Sequence, residues 1–376
     1  MKIQNINSQP GKIIKGNLVV ARYNHKLIKI PIIIAEGRRE GPTVLFCAGM
    51  HGDEINSIET ISRFLHEFNI NKLKGVLIIL PIVNPWGFKQ RIRYIPFDNL
   101  DLNRCFGKKG KSVSYQIAGT IMKEIVSKCD FGIDIHDSGS KNILLPHPRI
   151  LRHDKSHFLK EMSYALGTDI ILEREGSPGM MAIESLKSLK IPILTFEVGG
   201  ALVLNEEFIE QGIRGIKNVL VYNEVYDGII DLPIRQFFMH ERQGYQAPIS
   251  GILHILVHLG EAVKKGQVIA RIHNPLEDKE IIIKSQNPGI VFSVRKNAII
   301  DKGESILSIL HFKVHRASRE LIPVQAQMLL NKERLKKVIT RPTIILDDLF
   351  AVIGFSYKIV GKTIRTPFKR LSRYLR

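Results

Sequence analysis

The sequence predicts an α/β domain with a mixed, mainly parallel sheet flanked by helices, then a smaller all-β domain and a basic C-terminal tail. Three observations carry that prediction. Short apolar runs alternate with helical stretches from Gly41 to Val221. Strands buried on both faces have this character, and their alternation with helices favours parallel pairing. Glycines at 251, 260, 266, 289 and 303 then punctuate short β-like pieces with no good helix between them. Finally, His311 to Arg376 holds 15 Lys and Arg against 4 Asp and Glu, more than half of the net charge of +19. The expected boundaries are 1–242, 243–312 and 313–376.

In chain order, Ile13 to Ala21 and Leu27 to Ala35 are rich in Ile and Val and read as strands. Thr43 to Ala48 reads as a buried strand. Glu54 to Phe68 reads as an amphipathic helix with Ile55, Ile58, Ile61 and Leu65 on one side. Val76 to Val83 is a second buried strand, Tyr115 to Cys129 a helix and Phe131 to Ile135 a strand. Asp169 to Leu172 and Ile191 to Phe196 are further strands, and Asn205 to Val221 a helix. In the all-β region, "APISGILHILVHLGEAVKKGQVIARI" and "SQNPGIVFSVRKNAIIDKGESILSIL" echo each other. Each places an apolar strand after a Pro/Gly turn, then a charged turn and a closing strand, which predicts a quasi-twofold barrel. Val324 to Val338 has a helical pattern.

A chain of 376 residues, 44% apolar, exceeds one typical domain and is ample for a core. Met1 to Lys15 has no continuous apolar segment, so no secretory leader is expected there. Cys47, Cys105 and Cys129 are odd in number and widely spaced, which fits neither a disulfide framework nor a cysteine metal motif. A reducing, cytoplasmic compartment is the natural reading. Evenly spread positive charge would suggest steering of anions; a basic tail suggests a separate surface role or solubility. Thr343 to Val360 is mostly apolar but contains Asp347, Asp348 and Lys358, which argues against a spanning helix. Gly361 to Arg376 has six Lys/Arg, no Asp or Glu, and interleaved Phe368, Leu371, Tyr374 and Leu375. That pattern suits peripheral contact with an anionic membrane, or equally a helix packed on the protein with its basic side in solvent. No recognition motif for nucleic acid accompanies the charge.

Four segments could carry chemistry. In "GMHGDEINSIE", His51 and Glu54 follow a strand and open a helix, at the sheet edge where open α/β folds place their sites. Alone, the pair fits either a metal site or a helix cap beside a surface histidine. In "FGIDIHDSGS", His136 ends an apolar strand with Asp134 and Asp137 beside it. It could supply a third ligand and leave an open position for water, or be a polar loop residue. In "ILTFEVGG", Glu197 ends another apolar strand. It could act as general base and then general acid, or be an ordinary exposed strand-end glutamate. The polar run "QRIRYIPFDNLDLNRCF" carries Arg91, Arg93, Asn103 and Arg104. Guanidinium groups bind carboxylates and polarise carbonyls, while the plainer reading is a solvated loop. Three strand ends bearing His or Glu, with an Arg/Asn loop between them, are hard to attribute to chance.

In this order, "HGDE", "NPWGF", "RYIPFDNLDLNR", "DIH" and "FEVGG" resemble the zinc-carboxypeptidase superfamily. More closely the chain is similar to its succinylglutamate desuccinylase/aspartoacylase branch, with the match running from Gly49 to Gly200. The resemblance implies a zinc carboxypeptidase-like fold and one Zn²⁺ held by His51, Glu54 and His136. It implies Glu197 as the base, Arg93 polarising the scissile carbonyl, and Asn103 and Arg104 holding an α-carboxylate. The Arg93 to Asn103 spacing is a few residues longer than in aspartoacylase, which leaves Arg91 as a competitor for Arg93. The implied activity is hydrolysis of an N-acyl amino acid or similar small amide. A peptidase acting on a C-terminal or γ-glutamyl-type residue would use the same constellation, and a non-catalytic binding protein could keep the fold. Tyr245 to Leu310 is similar to barrel-sandwich modules related to biotinyl and lipoyl carriers. The turn "HNPLEDKEI" lacks a clean carrier motif, so Lys279 is not read as a modified lysine and the module is expected to be a lid or an assembly surface for a homo-oligomer. Loops from Leu144 to His153 and from Glu173 to Met181 are expected to line the pocket.

Overall fold

The computed structural model describes residues 1–151, 157–233, 235–311, 321–323 and 338–341. A small hairpin, β1 (Lys2–Ile3) and β2 (Ile6–Asn7), precedes a long one, β3 (Lys12–Tyr23) and β4 (Lys26–Glu36). Asn24 and His25 close the long hairpin with φ of 45° and 63°. Two left-handed residues make the primed turn whose twist matches the flanking strands. Then follow β5 (Arg39–Cys47), α1 (Ile55–Glu67), β6 (Lys74–Leu80), α2 (Pro85–Gln90), α3 (Val113–Glu124) and β7 (Phe131–His136). Next come β8 (Asn142–Leu151), α4 (His157–Leu166), β9 (Ile170–Arg174), α5 (Met181–Leu189), β10 (Ile193–Gly200) and α6 (Glu206–Tyr222).

The centre of the sheet runs β6-β5-β7-β10, all parallel. On one side β4 and β3 extend it antiparallel; on the other, β8 pairs antiparallel with β10, and β9 runs parallel to β8. Side chains alternate across a strand. Val44 and Phe46 of β5 therefore join Ile61 and Phe64 of α1, Met162 of α4 and Ile216 of α6 on one face. Leu45 and Cys47 join Ile117 and Ile121 of α3 on the other. Both faces are covered, which is why β5 and β6 end in unbroken apolar runs, Val44–Cys47 and Val76–Leu80.

Several expectations are corrected by the fold. The helix expected from Tyr115 to Cys129 stops at Glu124 and is followed by a separate 3₁₀ turn, Val126–Lys128. The β-branched pair Ile125–Val126 crowds the helical backbone at that break. Leu144 to Leu151, expected as loop, belongs to strand β8; Pro146 and Pro148 disguised it, because proline cannot donate to a ladder. Helices α4 and α5 were not foreseen.

After β11 (Ile230–Pro233) and β12 (Arg235–Met239), a run of short strands begins: β13 (Arg242–Gln246), β14 (Gly251–Ile255), β15 (Ala262–Val263) and β16 (Val268–Asn274). It continues through β17 (Lys279–Lys284), β18 (Gly289–Arg295), β19 (Ile299–Ile300) and β20 (Ser305–His311). The twofold echo is visible in the pairing: β14 pairs with β16 and β19, and β18 with β20 and β15, so each half lends its short strand to the other. β14, β16, β17 and β19 form their own sheet, but β13, β20 and β18 join the central sheet through β8, with Ser293 opposite Leu144 and Arg295 opposite Asn142. The expected boundary at 242/243 therefore lies within one continuous sheet. Beyond it, β21 (Leu321–Pro323) pairs with β12, and β22 (Val338–Arg341) pairs in parallel with β11. Two short strands thus stand in a tail expected to be helical. Of the helical pattern from Val324 to Val338 all but Val338, which opens β22, lies outside the described residues, as do the apolar stretch from Thr343 to Val360 and the basic segment from Gly361 to Arg376. No helix among the described residues is long and apolar enough to cross a membrane.

An ion-pair group ties the two regions together. Glu304 accepts from Lys141 and Arg295, each at 2.7 Å, and from the Asp301 N–H at 3.1 Å. The Lys141 bond, the Asp301 N–H and Arg295 bring its carboxyl down to about 2 from an ordinary 4.5. A depressed carboxyl stabilises the fold above its unfolded value and loses that contribution as pH falls through its folded value. Glu304→Gln should lower Tm by a few degrees at pH 7, and the two melting curves should converge as pH falls from 4.5 towards 2. A gap that stays constant over that window, in calorimetric scans, would exclude this linkage.

Candidate active site

The carboxyl ends of β5, β7 and β10 lie side by side, because these strands are parallel neighbours. His136 is the last residue of β7 and sits directly opposite Glu197 of β10. His51 and Glu54 come from the corner between β5 and α1. That corner needs Gly52: a Cβ there would lie 1.9 Å from the carbonyl carbon of Gly87 in α2. So "HGDE" and "NPWGF" are two halves of one backbone contact. Asn84 caps α2 by accepting from the Gly87 N–H at 2.8 Å, and its amide donates to the Tyr94 carbonyl at 3.0 Å, which holds the arginine loop. At the other end of the site, a Cβ on Gly200 would meet Ser138 Oγ at 2.1 Å, so the strand after Glu197 closes tightly over the β7–β8 turn.

Glu54 stands at the N-terminus of α1 but makes no capping hydrogen bond with its side chain. Its carboxylate faces the imidazoles instead: Oε1 is 2.5 Å from His51 Nδ1, and Oε2 is 2.8 Å from His136 Nδ1. The remaining ring nitrogens are backed by carboxylates, His51 Nε2 by Asp101 at 3.0 Å and His136 Nε2 by Asp134 at 2.9 Å. His51, Glu54 and His136 are each at most 3% exposed, and their donor atoms lie within 4.8 Å of one another. Burial disfavours charge on all three, yet it is outweighed. Glu54 and Asp101 raise His51, Asp134 and Glu54 raise His136 well above the usual range, and the two imidazoles hold Glu54 well below its own. The arrangement favours positive charge between the three side chains. Two imidazole nitrogens and one carboxylate, each imidazole backed by an outer carboxylate, form a donor set suited to a divalent ion such as zinc.

Of the two competing arginines, Arg93 lines the pocket, while exposed Arg91 ends α2 in the left-handed region at φ 57°. Arg93 pairs with Asp101 through Nε at 3.0 Å and Nη2 at 2.9 Å, and approaches Glu54 Oε1 at 3.5 Å. Asn103 is buried, with Oδ1 accepting from the Met181 N–H at 2.9 Å and Nδ2 lying 3.2 Å from His136 Nε2. Where that nitrogen donates to Asp134, it cannot also accept, so the amide N–H groups of Asn103 remain for a ligand. Arg104 lines the pocket with Nη1 donating to the Asn103 carbonyl at 2.6 Å. Glu197 Oε1 pairs with Arg149 at 2.9 Å, whereas its Oε2 is buried and has no hydrogen-bond partner among the described residues. The pocket measures about 240 Å³ and is lined by all seven expected residues, with Asp137, Ser138, Leu144, Arg149, Met180, Thr195 and Arg242.

Asp101, Arg149 and Arg242 are functional candidates that sequence reasoning missed. Asp101 stands two residues before Asn103 in "DLNR", and an acid beside a ligand loop was the available signal. Arg149 follows the proline-disguised part of β8, and Arg242 sits at the expected domain boundary; neither carried a local signal.

Residues 40–223 match the model of the succinylglutamate desuccinylase/aspartoacylase catalytic domain. The chain is 27% identical over 294 residues to an N-alpha-acetyl-L-2,4-diaminobutyric acid deacetylase of Halomonas elongata, covering 75% of this chain and 85% of that one. Among solved structures, a succinylglutamate desuccinylase/aspartoacylase of Rhodobacter sphaeroides superposes with a TM-score of 0.73 at 23% identity, covering 83% of this chain and 99% of that one. The product-bound ectoine utilization protein of Ruegeria pomeroyi gives 0.72 at 20% identity, covering 80% and 95%. The match over residues 40–223, with the shared fold, makes the chain similar to the succinylglutamate desuccinylase/aspartoacylase family.

Proposed function

We propose that the pocket is the active site of a zinc-dependent hydrolase cleaving the amide bond of an N-acyl amino acid. The observation that carries this is the convergence of His51 Nδ1, the Glu54 carboxylate and His136 Nδ1, with Glu197 on the adjoining strand. When bound, zinc supplies Lewis acidity, lowering the pKa of a coordinated water towards roughly 7 and polarising a carbonyl. The chain's own residues do the rest. Arg149 fixes Oε1 of Glu197 and leaves Oε2 without a partner among the described residues. Oε2 takes the proton from the attacking water and returns it to the departing nitrogen. Arg93, held by Asp101 and near Glu54, offers N–H groups to the carbonyl oxygen as charge develops on it. Asn103 and Arg104 take the α-carboxylate, Arg104 through its fork and Asn103 through its amide.

The names of the relatives, a deacetylase and a desuccinylase, support an acyl-amino acid substrate. A pocket of about 240 Å³ favours one small amide over a longer peptide tail. The barrel-sandwich reading of residues 243–312 rests on the paired halves described above, and its Ser308 and Phe292 hold Arg242, which lines the pocket. A screen of acetyl, succinyl and formyl amino acids with zinc-loaded protein tests the proposal. Zinc uptake without hydrolysis across that panel would instead favour a peptidase or a binding protein on the same fold.

Asp101 gives a separate check. Asp101→Asn should weaken zinc binding about 10–100-fold, as loss of an outer carboxylate does elsewhere. Competition with a fluorescent chelator reads the affinity, and circular dichroism verifies the fold. Unchanged affinity would remove Asp101 from the metal site.

A further inference from the structure

Two sheet edges are treated differently in this molecule. β3 closes one end of the central sheet, and side chains take up backbone groups along it. The Gln4 amide accepts from the Val19 N–H at 3.0 Å and donates to the Val19 carbonyl at 2.9 Å. Gln116 does the same for Arg22, at 3.0 and 3.4 Å, and Thr120 Oγ1 donates to the Val20 carbonyl at 3.0 Å. Unpaired strand edges invite pairing with another chain, and such capping blunts this one. β17, Lys279–Lys284, closes the four-stranded sheet β17-β16-β14-β19 and has no such cover. Ser285 spends its N–H on the Gln267 carbonyl at 2.8 Å and its carbonyl on the Gly266 N–H at 2.7 Å. Alternate residues turn the same way along a strand, so Ile283 and Ile281 also face β16. Glu280, Ile282 and Lys284 therefore direct their N–H and C=O groups to the open edge. No strand or side chain among the described residues takes them up there.

The side chains of the same three residues stand together on an exposed face, where Ile282 is 54% exposed. Arg271 lies across from Ile282, and its Nη1 is 3.9 Å from Glu280 Oε2. Both members of that ion pair are half-exposed, so the contact is weak and leaves Glu280 able to take a nearer cation. An antiparallel copy of β17 can pair on this edge only where outward-facing residues meet outward-facing residues. The fullest such register is centred on Ile282. Ile282 then exchanges both backbone bonds with the partner's Ile282, and at each end Glu280 of one copy lies opposite Lys284 of the other. Opposite charges directly across a strand pair stabilise it. A shift of two residues either way sets Ile282 against a charge and carries one pair beyond the strand ends. Lysine at an edge ordinarily discourages pairing, but here it meets a carboxylate. The edge is complementary to itself.

We propose that two copies of the chain dimerise by pairing their β17 strands antiparallel about a twofold axis. The two four-stranded sheets then become one continuous sheet across the interface. Such an interface uses the same patch on both subunits and closes on itself, so it gives dimers rather than fibres. Main-chain bonds supply the affinity, and the Glu280–Lys284 pairs fix the register. The contact is small, one strand of six residues a side, which places the dissociation constant at about 1–100 µM. None of these residues lines the pocket, so assembly is independent of what the pocket hydrolyses. The β region, expected to be a lid or an assembly surface, thereby assembles through one defined edge.

Sedimentation velocity of the full-length protein tests this, from about 1 µM to several times the upper end of that range. Salt at about 0.15 M screens the long-range repulsion between copies that each carry +19. Wild type should pass from monomer to dimer over these concentrations. Lys284→Glu sets carboxylates opposite each other at both ends of the pair and should raise the dissociation constant at least about tenfold. Combining it with Glu280→Lys exchanges the charges and should bring the constant back to within about fivefold of wild type. Ile282→Pro removes an N–H that points away from β16, so the β16–β17 pairing survives while the dimer is lost. Circular dichroism verifies that each variant keeps its fold. A chain monomeric throughout overturns the inference. So does a dimer indifferent to Lys284→Glu and Ile282→Pro, or a loss that the double exchange leaves unrepaired.

Discussion

Glu197→Gln should cut turnover of the best N-acyl amino acid by about 10³-fold while zinc content stays near one per chain, because general acid–base catalysis contributes on this scale. Glutamine keeps the volume and can still accept from Arg149, which now pairs with Oε1 at 2.9 Å. What it loses is the ability to hold a proton at Oε2, the buried atom with no partner among the described residues. Structure and metal loading should survive. Elemental analysis together with initial rates gives both quantities on one sample. Near-wild-type activity would move the base elsewhere in the pocket, and loss of zinc would mean that Glu197 belongs to the ligand set.

His136→Ala should remove the metal altogether. It takes away one donor of three and leaves Glu54 and Asp134 facing each other without the imidazole that sits 2.8 and 2.9 Å from them. Breaking such a buried arrangement costs about 3–5 kcal/mol of stability, so the protein should also melt earlier. The expected result is less than about a tenth of a zinc per chain and no detectable hydrolysis. His51→Ala serves as the independent comparison, since its outer partner is Asp101 rather than Asp134. Either variant retaining a full zinc equivalent with a native circular dichroism spectrum would show that the trio is not the metal site.

The two effects differ in kind, which makes them informative together. Loss of a ligand empties the site, whereas loss of the base leaves it loaded and idle. A protein that only binds zinc would lose metal in the histidine variants but have no turnover for Glu197→Gln to remove.

Much of this arrangement was legible before any coordinates. Unbroken apolar runs such as Val44–Cys47 and Leu77–Leu80 announce strands buried on both faces, since each neighbouring residue must find a core of its own. His51, Glu54, His136 and Glu197 were visible because each ends or follows such a run, and parallel strands bring their carboxyl ends to one edge. The halves of the β region were visible as an echo in the letters, and their exchanged short strands follow from it.

The rest depended on contacts between distant residues. Asp101 meets His51 from fifty positions away, and nothing in its immediate neighbours announces that. Strand β8 was hidden by two prolines, and with it Arg149; its place between β10 and β18 comes from partners on both sides rather than from its own propensity. Arg242 reaches the pocket only because β13, β20 and β18 attach to the central sheet through β8. The sequence by itself therefore determined the strand–helix alternation and the residues at strand ends, both governed by local periodicity. Only the tertiary structure decided which carboxylate backs each imidazole, which arginine faces Glu197, and that β18 and β20 hold Arg242 at the pocket, because long-range pairing sets those distances and no local pattern encodes them.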